Sequence, residues 1–289
     1  ALLNRTRRRA EEHRATPAVV TFDTHPDTLV KRVEVPLINS AEDRAAIMRD
    51  RFGIESVIFI HFNEKMMRMP WENFAELMRE ELGACHLVGG YDFSFGWKGA
   101  GRPTRLAADC SKHGMGCDII SAICSDGEVV SSTRIRKLLE DGEVEAANKL
   151  LGHPHFLVDK VHYGFQLGKR LGAPTINMRF ADGVLVPRHG VYAAKVYLDD
   201  GECLMAVTNI GVRPTVSGGD QVSVESYILD YDGDLYDHRV RVEFHHFIRD
   251  ERRFPDTTAL RDQIQHDAQT TRGGLFYLTA LLSVAAVYY

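Results

Sequence analysis

Residues 164–177 of the chain read GFQLGKRLGAPTIN. Three glycines and two adjacent cations occupy the first part of this stretch, at Gly164, Gly168, Gly172, Lys169 and Arg170. Glycines let a backbone turn tightly near a ligand, and on an extended segment the side chains of Thr175 and Asn177 share a face. Hard oxygen ligands suit Mg²⁺, and phosphoryl transfer from ATP uses a glycine loop, a cation and such ligands. A glycine-rich hairpin with a solvated basic tip explains the same residues, and composition alone favours this simpler interpretation.

The composition is that of an ordinary soluble globular protein. The chain has 289 residues, of which 44% are hydrophobic and 26% are charged, and this length suits about two domains. A formal net charge of −5 argues against broad binding to nucleic acid. Five scattered cysteines without a CxxC pair indicate free thiols in a reducing cytoplasm.

Strand-like and helix-like segments alternate in the first half. Short apolar runs of strand length lie at 18–22, 56–61, 86–89 and 118–123. Helical patterns cover 1–13, 41–51, 71–82, 132–139 and 144–151. This alternation predicts an α/β domain with a parallel, doubly wound sheet. We expect the arginines of the first helix, at Arg5, Arg7, Arg8 and Arg9, to form a solvated face.

The second half has a different rhythm. Strand-like runs at 191–198, 204–209, 223–229 and 240–247 are separated by Gly-rich and Asp-rich turns at 199–201, 217–219 and 232–234. Such punctuation predicts an antiparallel barrel or sandwich. One helix over 257–270 follows, and the domain boundary is predicted near residues 152–155.

The chain ends in an uncharged apolar run at 275–289, LFYLTALLSVAAVYY. It is shorter than the roughly 20 residues that a membrane span needs. A buried C-terminal helix is the preferred interpretation, a tail of altered sequence is the second, and a membrane anchor is the third.

Several motifs in the second half resemble riboflavin kinases, over residues 157–267. GKRLGAPTIN is similar to the family's glycine loop and Pro-Thr-Ala-Asn motif, with Ala173 and Ile176 as departures. The family's other motifs follow in order as NIGVRPT at 209–215, VESYILD at 224–230, DGDLY at 232–236 and RDERRF at 249–254. Tyr227 stands where the family has a histidine. The resemblance implies a six-stranded antiparallel β-barrel with a C-terminal helix.

The resemblance also implies roles for individual residues. Glu225 would be the general base that accepts the proton of riboflavin's primary hydroxyl; a solvent-facing strand residue is the other interpretation. Thr175 and Asn177 would hold Mg²⁺, and the ATP phosphates would contact Gly164, Gly168, Lys169, Gly172, Thr175 and Asn177. Arg249 and Phe254 would stack on the flavin, although a helix-entry cap and a core contact explain them equally well.

Three motifs upstream resemble the adenylyltransferase domain of bifunctional FAD synthetases. They are VTFDTHP at 20–26, GGYDFSFG at 89–96 and SSTRIR at 131–136. The resemblance implies a Rossmann-like nucleotidyltransferase domain that binds nucleotide through His25, Asp92, Ser131, Ser132, Thr133, Arg134 and Arg136. A helix cap is the simpler interpretation of Ser131, Ser132 and Thr133.

The family's His-x-Gly-His loop does not occur in this sequence, and the family's first strand would precede Ala1. We therefore expect an incomplete nucleotidyltransferase domain over 1–153, a riboflavin kinase domain over 154–272 and an apolar tail over 273–289. We expect a fragment of a full-length bifunctional enzyme, with a degenerate first domain as the alternative that the missing histidines alone do not separate from truncation. Adenylyl transfer by the chain as given is expected to be weak.

The predicted function is ATP-dependent phosphorylation of riboflavin to FMN, with the parent protein also converting FMN to FAD. Mg²⁺ and ATP are the expected cofactors, FMN and FAD the expected product ligands, and riboflavin, ATP and FMN the expected partners. An enzyme with kinase activity alone, and a non-catalytic flavin or nucleotide sensor, are the alternatives. The sequence predicts no oligomeric state.

Overall fold

The computed structural model describes residues 1–163, 173–214 and 220–285. The chain divides into two compact units, Ala1–Val130 and Ser131–Tyr289. The first unit has the predicted alternation of helices and parallel strands, and the second has the predicted antiparallel sheet followed by a helix.

Helices and short parallel strands build the first unit. Its helices are α1 Leu2–His13, α2 Pro26–Val30, α3 Ala41–Phe52, α4 Glu64–Met67, α5 Trp71–Glu76 and α6 Pro103–Lys112. Its strands are β1 Ala18–Phe22, β2 Ser56–Ile60, β3 His86–Gly90, β4 Gly116–Ile120, β5 Cys124–Ser125 and β6 Glu128–Val129. A π-helical turn, Leu77–Glu81, continues α5. Strands β1 and β2 pair in parallel, as do β3 and β4, whereas β5 and β6 are antiparallel.

The core of this unit is aromatic. Phe95 is buried and stacks on Phe93 with ring centroids 5.0 Å apart, and Trp71 and Phe74 of α5 pack against it. Gly96 ends this loop with a φ of 71°, and a Cβ there would collide with the Trp71 backbone. The GGYDFSFG segment therefore folds by burying its phenylalanines and by using a glycine where no side chain fits.

A groove separates the two parallel strand pairs. Its volume is about 630 Å³, and consecutive residues of β1 and of β3 line it, together with residues of α1. Consecutive residues of a strand point to opposite faces, so a cavity that contacts all of them lies along the strand's edge. The parallel sheet is therefore not continuous in the described residues: β1 pairs with β2, and β3 pairs with β4.

The arginines of α1 do not all lie on a solvated face, and that expectation is wrong for Arg9. Its guanidinium donates to both carboxylate oxygens of Asp118 on β4, at 2.6 and 2.9 Å, and Arg5 lies 3.5 Å from the same carboxylate. These hydrogen bonds lower the pKa of Asp118 to about 2. His86 Nε2 lies 3.3 Å from the Asp118 carboxylate, but burial lowers the pKa of His86 and so favours its neutral form. Arg9 therefore provides the positive charge that pairs with Asp118.

The second unit is built on one six-stranded antiparallel sheet. Its helices are α7 Ser132–Asp141, α8 Val144–Leu151 and α9 Thr257–Ala285. Its strands are β7 His155–Lys160, β8 Thr175–Met178, β9 Gly190–Tyr197, β10 Cys203–Pro214, β11 Asp220–Ile228 and β12 Arg239–Arg249. The strand order is β7-β12-β9-β10-β11-β8. A bridge between His162 and Asn177 joins the two edge strands, and this contact closes the sheet toward a barrel.

One face of this sheet forms the tightly packed interior. Ile210, Val224 and Phe244 are fully buried there. Thr208 and Ser226 are also fully buried, and their hydroxyls bond to each other at 2.8 Å. Because side chains alternate along a strand, the neighbours of these residues lie on the opposite face.

Helices α7 and α8 pack with the second unit. Asn148 of α8 donates through Nδ2 to the carbonyl of Phe244 and accepts through Oδ1 from the backbone N–H of His155. Glu145 of the same helix contacts His246 of β12. Along the chain, the first compact unit therefore ends at residue 130 and the second begins at residue 131. The predicted domain boundary, between residues 153 and 154, stays a prediction.

The C-terminal helix continues well past its predicted end at residue 270. Helix α9 runs without interruption to Ala285 and packs on β9, β10 and β12. Leu275, the first residue of the apolar run, is buried. Among the helices within the described residues, none is long and apolar enough to cross a membrane.

Candidate active site

A row of aligned residues crosses the sheet of the second unit. Asn177 on β8 lies opposite Glu225 on β11, and Glu225 lies opposite Asn209 on β10. The same row continues to Val191 on β9 and Arg249 on β12. Directly opposite residues of an antiparallel pair share a face, with Cβ atoms about 4.5–5.5 Å apart. The structure therefore brings two predicted site residues, Asn177 and Glu225, next to each other.

Thr175 belongs to the same surface. It pairs with Tyr227, two residues after Glu225, so Thr175, Asn177 and Glu225 share one face. Ser226, between Glu225 and Tyr227, is fully buried on the other face. Glu225 is half-buried, on the side away from the packed interior.

Asn177 carries a buried oxygen. Its side-chain Oδ1 has no hydrogen-bond partner among the residues that the structure describes. A buried polar oxygen without a partner costs free energy unless a ligand satisfies it. Oxygen donors of this type suit Mg²⁺, so Asn177 and the neighbouring Thr175 fit the ion that their resemblance implies. No group of three or more His, Cys, Asp or Glu residues within the described part of the chain forms a metal site.

Asn209 has a second acidic neighbour. Its Nδ2 donates to Oε1 of Glu251 at 2.9 Å, and Glu251 comes two residues after the end of β12. A Cβ on Gly211 would collide with the carboxylate of Glu251. Gly211 and Asn209 lie two residues apart on β10, so they share a face, and Glu251 lies over that face.

Arg249 is held by the C-terminal helix. Its guanidinium donates from Nε and Nη2 to Asp267 of α9, at 2.7–3.2 Å, and Asp267 is 1% exposed. Gln263 donates to the same carboxylate at 2.6 Å. The Arg249 guanidinium also lies 5.7 Å from the ring centroid of Phe254. The flavin-stacking role of Arg249 and Phe254 stays a prediction, and the ion pair to Asp267 is the contact that the structure provides.

In the sequence, the predicted glycine loop lies between strands β7 and β8. Gly164, Gly168, Lys169 and Gly172 lie outside the described residues, so their predicted contacts with the ATP phosphates stay predictions.

Two predicted nucleotide-binding residues belong to the first unit. His25 caps α2, since its Nδ1 accepts from the backbone N–H of Asp27 at 3.2 Å. An accepting Nδ1 places the proton of the neutral ring on Nε2. Asp92 is exposed in the turn after β3. Both residues follow the carboxyl end of a parallel strand, which is where α/β sheets bind ligands.

The other predicted nucleotide-binding residues begin α7. Ser131 is the N-cap of this helix, because its Oγ accepts from the backbone N–H of Arg134 at 3.2 Å. Ser132 and Thr133 are exposed in the first turn, where free N–H groups favour anions, while Arg134 and Arg136 are half-buried. The capping interpretation therefore holds for Ser131, and phosphate binding by this segment stays a prediction.

The sequence analysis assigned no role to Asn209, Glu251 or Asp267. Asn209 and Glu251 belong to quoted motifs, yet the two residues are 42 positions apart in the sequence. Strand order is the missing signal, because β12 lies two strands from β10 in the sheet and Glu251, just after β12, lies over Gly211.

A half-buried carboxylate between amide side chains suits transfer of a phosphoryl group to a hydroxyl. The comparisons with known proteins give this chemistry a family. The sequence family described as FAD synthetase matches residues 1–134, and the one described as riboflavin kinase matches residues 151–275.

Relatives that align over most of their length are named for both activities. The bifunctional riboflavin kinase/FMN adenylyltransferase of Listeria monocytogenes is 30% identical, over 94% of this chain and 86% of its own length. That of Pseudomonas fluorescens is 34% identical, over 94% of this chain and 87% of its own. A crystal structure titled as a macrolide-efflux protein from Streptococcus pneumoniae matches with a TM-score of 0.80 and 27% identity, over 93% of this chain and 88% of that one. The chain belongs to the family of bifunctional riboflavin kinases/FMN adenylyltransferases, whose members phosphorylate riboflavin and adenylylate FMN.

Proposed function

We propose that the second unit phosphorylates riboflavin on the face of the sheet that carries Asn177, Glu225 and Asn209. The observation that supports this assignment is the register, because it places Glu225 directly between two amide side chains. Riboflavin, ATP and Mg²⁺ would meet on this face, and FMN would leave it.

Glu225 acts as the general base. The terminal hydroxyl of riboflavin is a weak nucleophile, and a carboxylate within hydrogen-bond reach orients it and accepts its proton as the new P–O bond forms. The half-buried position of Glu225 supports this role, since a carboxylate with reduced access to water attracts a hydroxyl donor more strongly.

Thr175 and Asn177 hold Mg²⁺. The ion would neutralise charge on the ATP phosphates during transfer. The buried Oδ1 of Asn177 supports this assignment because it lacks a partner within the described residues, and the Thr175 hydroxyl lies on the same face. Gly164, Gly168, Lys169 and Gly172 contact the phosphates, and Arg249 and Phe254 contact the flavin.

The first unit binds the nucleotide for FMN adenylylation. His25 and Asp92, at the carboxyl ends of β1 and β3, would contact it. We further propose a cytoplasmic location. Its support is that the five cysteines are free thiols and that burial raises the pKa of Cys117 to about 12, which keeps this thiol protonated and unreactive.

A magnesium titration of FMN formation tests the metal assignment. Asn177→Ala and Thr175→Ala should each raise the Mg²⁺ concentration for half-maximal rate by about tenfold, a loss of ~1.4 kcal/mol per ligand. Ile176→Val is the matched control, because Ile176 lies between them on the opposite face. If either alanine variant keeps the parental Mg²⁺ dependence, that residue is not a ligand.

A further inference from the structure

Asn209 lies between two carboxylates. Glu225 is its cross-strand partner on β11, and the Glu251 carboxylate accepts from its Nδ2 at 2.9 Å. The amide of Asn209 can rotate to exchange the positions of its oxygen and nitrogen, so its orientation is defined only if a neighbouring residue fixes it.

Glu251 fixes that orientation. An ionised carboxylate only accepts hydrogen bonds, so the atom of Asn209 that faces Glu251 is the nitrogen. The amide oxygen, Oδ1, consequently points away from Glu251. No hydrogen bond joins this oxygen to a residue in the described part of the chain, and Asn209 is half-buried, so a ligand on this face can reach it.

The carboxylate of Glu251 is itself held in place. Gly211 leaves the space that the carboxylate occupies, since a Cβ there would overlap it. Arg249, two residues before Glu251, is anchored by the buried Asp267 of α9. The C-terminal helix therefore fixes the chain segment from which Glu251 reaches Asn209.

We propose that Glu251 is a positioning residue for the flavin substrate. It holds Asn209 so that Oδ1 accepts a hydrogen bond from a ribityl hydroxyl adjacent to the one that Glu225 deprotonates. Neighbouring hydroxyls of a sugar alcohol chain can reach both residues, because cross-strand partners have Cβ atoms about 4.5–5.5 Å apart. This inference rests on the proposed function of the same face.

The test measures riboflavin and ATP separately. Glu251→Ala should raise both the riboflavin Kd, measured by quenching of flavin fluorescence, and the riboflavin KM by about tenfold, a loss of ~1.4 kcal/mol. The KM for ATP should stay within about twofold of the parent. Gly211→Ala should also raise the riboflavin Kd and KM, because it keeps the Glu251 carboxylate but puts a Cβ in the space that this carboxylate occupies.

Asp250→Ala is the matched control. It removes the neighbouring carboxylate, which pairs with Arg188 on the surface, and should leave both KM values unchanged. In a double-mutant cycle, Glu251→Ala should add little to Asn209→Ala, because Glu251 acts through Asn209.

Three outcomes would overturn the inference: a riboflavin Kd no higher than that of Asp250→Ala, equal weakening of riboflavin and ATP, or fully additive effects in the cycle. A chain that binds riboflavin but makes no FMN would contradict the proposed function instead, and the fluorescence measurement would still decide the role of Glu251. A chain that neither binds nor phosphorylates riboflavin would overturn both.

Discussion

His155 shows how strongly one side chain of the second unit depends on its surroundings. It is fully buried, and its ring packs against the rings of Phe180 and Phe244, with centroids 6.4 and 6.0 Å away. Neither ring nitrogen has a hydrogen-bond partner among the described residues. Burial, with a smaller effect of His153, lowers the pKa of His155 to about 3, so the folded protein holds this imidazole neutral.

The sign of the pH effect follows from this lowered pKa. The unfolded chain binds a proton at His155 below about pH 6.5, whereas the folded protein does not until about pH 3. Stability from this residue is therefore present above pH 6.5 and decreases as pH falls toward 3, by up to ~1.4 kcal/mol per pH unit.

His155→Phe should remove this contribution. Denaturant unfolding at pH 7.5 and 5.5 should show a smaller difference between the two pH values in the variant than in the parent. His238→Gln is the control, since His238 is exposed and pairs with Asp199. An unchanged pH dependence in His155→Phe would show that His155 is not held neutral in the fold.

At the residue scale, the sequence motifs predicted individual site residues, whereas the overall composition predicted none. Thr175 and Asn177 share one face, as their i and i+2 spacing led us to expect, and the strand register adds Glu225 to that face. The environment of Asn209 and the anchoring of Arg249 by Asp267 could not be predicted, because these contacts join strands and a helix that are distant in sequence.

At the scale of elements, hydrophobic runs located the strands well. The run at 18–22 and the two helices beginning at Ser132 and Val144 were predicted at or within two residues of their observed limits. Helix α6 was missed, although its apolar Leu106 and Cys110 are four residues apart and buried. The end of α9 was misplaced: the prediction ended the helix at residue 270, whereas it continues through Gly273 and Gly274 to Ala285.

The charged face of α1 was the clearest error at this scale. A row of arginines on a helix is usually solvated, but Arg9 reaches the carboxylate of Asp118 on β4. Sequence spacing carries no information on this pair, since the two residues are 109 positions apart.

Arg9→Ala should destabilise the first unit. Hydrogen bonds from Arg9 lower the pKa of Asp118 to about 2, so their stabilisation is present above pH 3.8 and is lost as pH falls toward 2. The variant should melt at a lower temperature than the parent at pH 7, and the difference should shrink as pH approaches 2. Arg8→Ala is the control, because Arg8 is exposed and pairs only with the surface residue Glu12 among the described contacts. Equal melting of the two variants at pH 7 would contradict the importance of this pair.

At the scale of the whole molecule, the chain combines two units of different architecture, each with the features of one activity of the family. The sequence family described as FAD synthetase matches residues 1–134, which span the first unit. The second unit has the register that aligns Asn177, Glu225 and Asn209.

Chromatographic separation of riboflavin, FMN and FAD after incubation with ATP and Mg²⁺ tests the central assignment most directly. The parent chain should form FMN. Glu225→Gln keeps the shape of the side chain but cannot accept a proton, so it should form FMN at least about 100-fold more slowly, the usual contribution of a general base. Glu202→Gln, at an exposed position before β10, should match the parent. FMN formation by Glu225→Gln at close to the parental rate would contradict the assignment of Glu225 as the base.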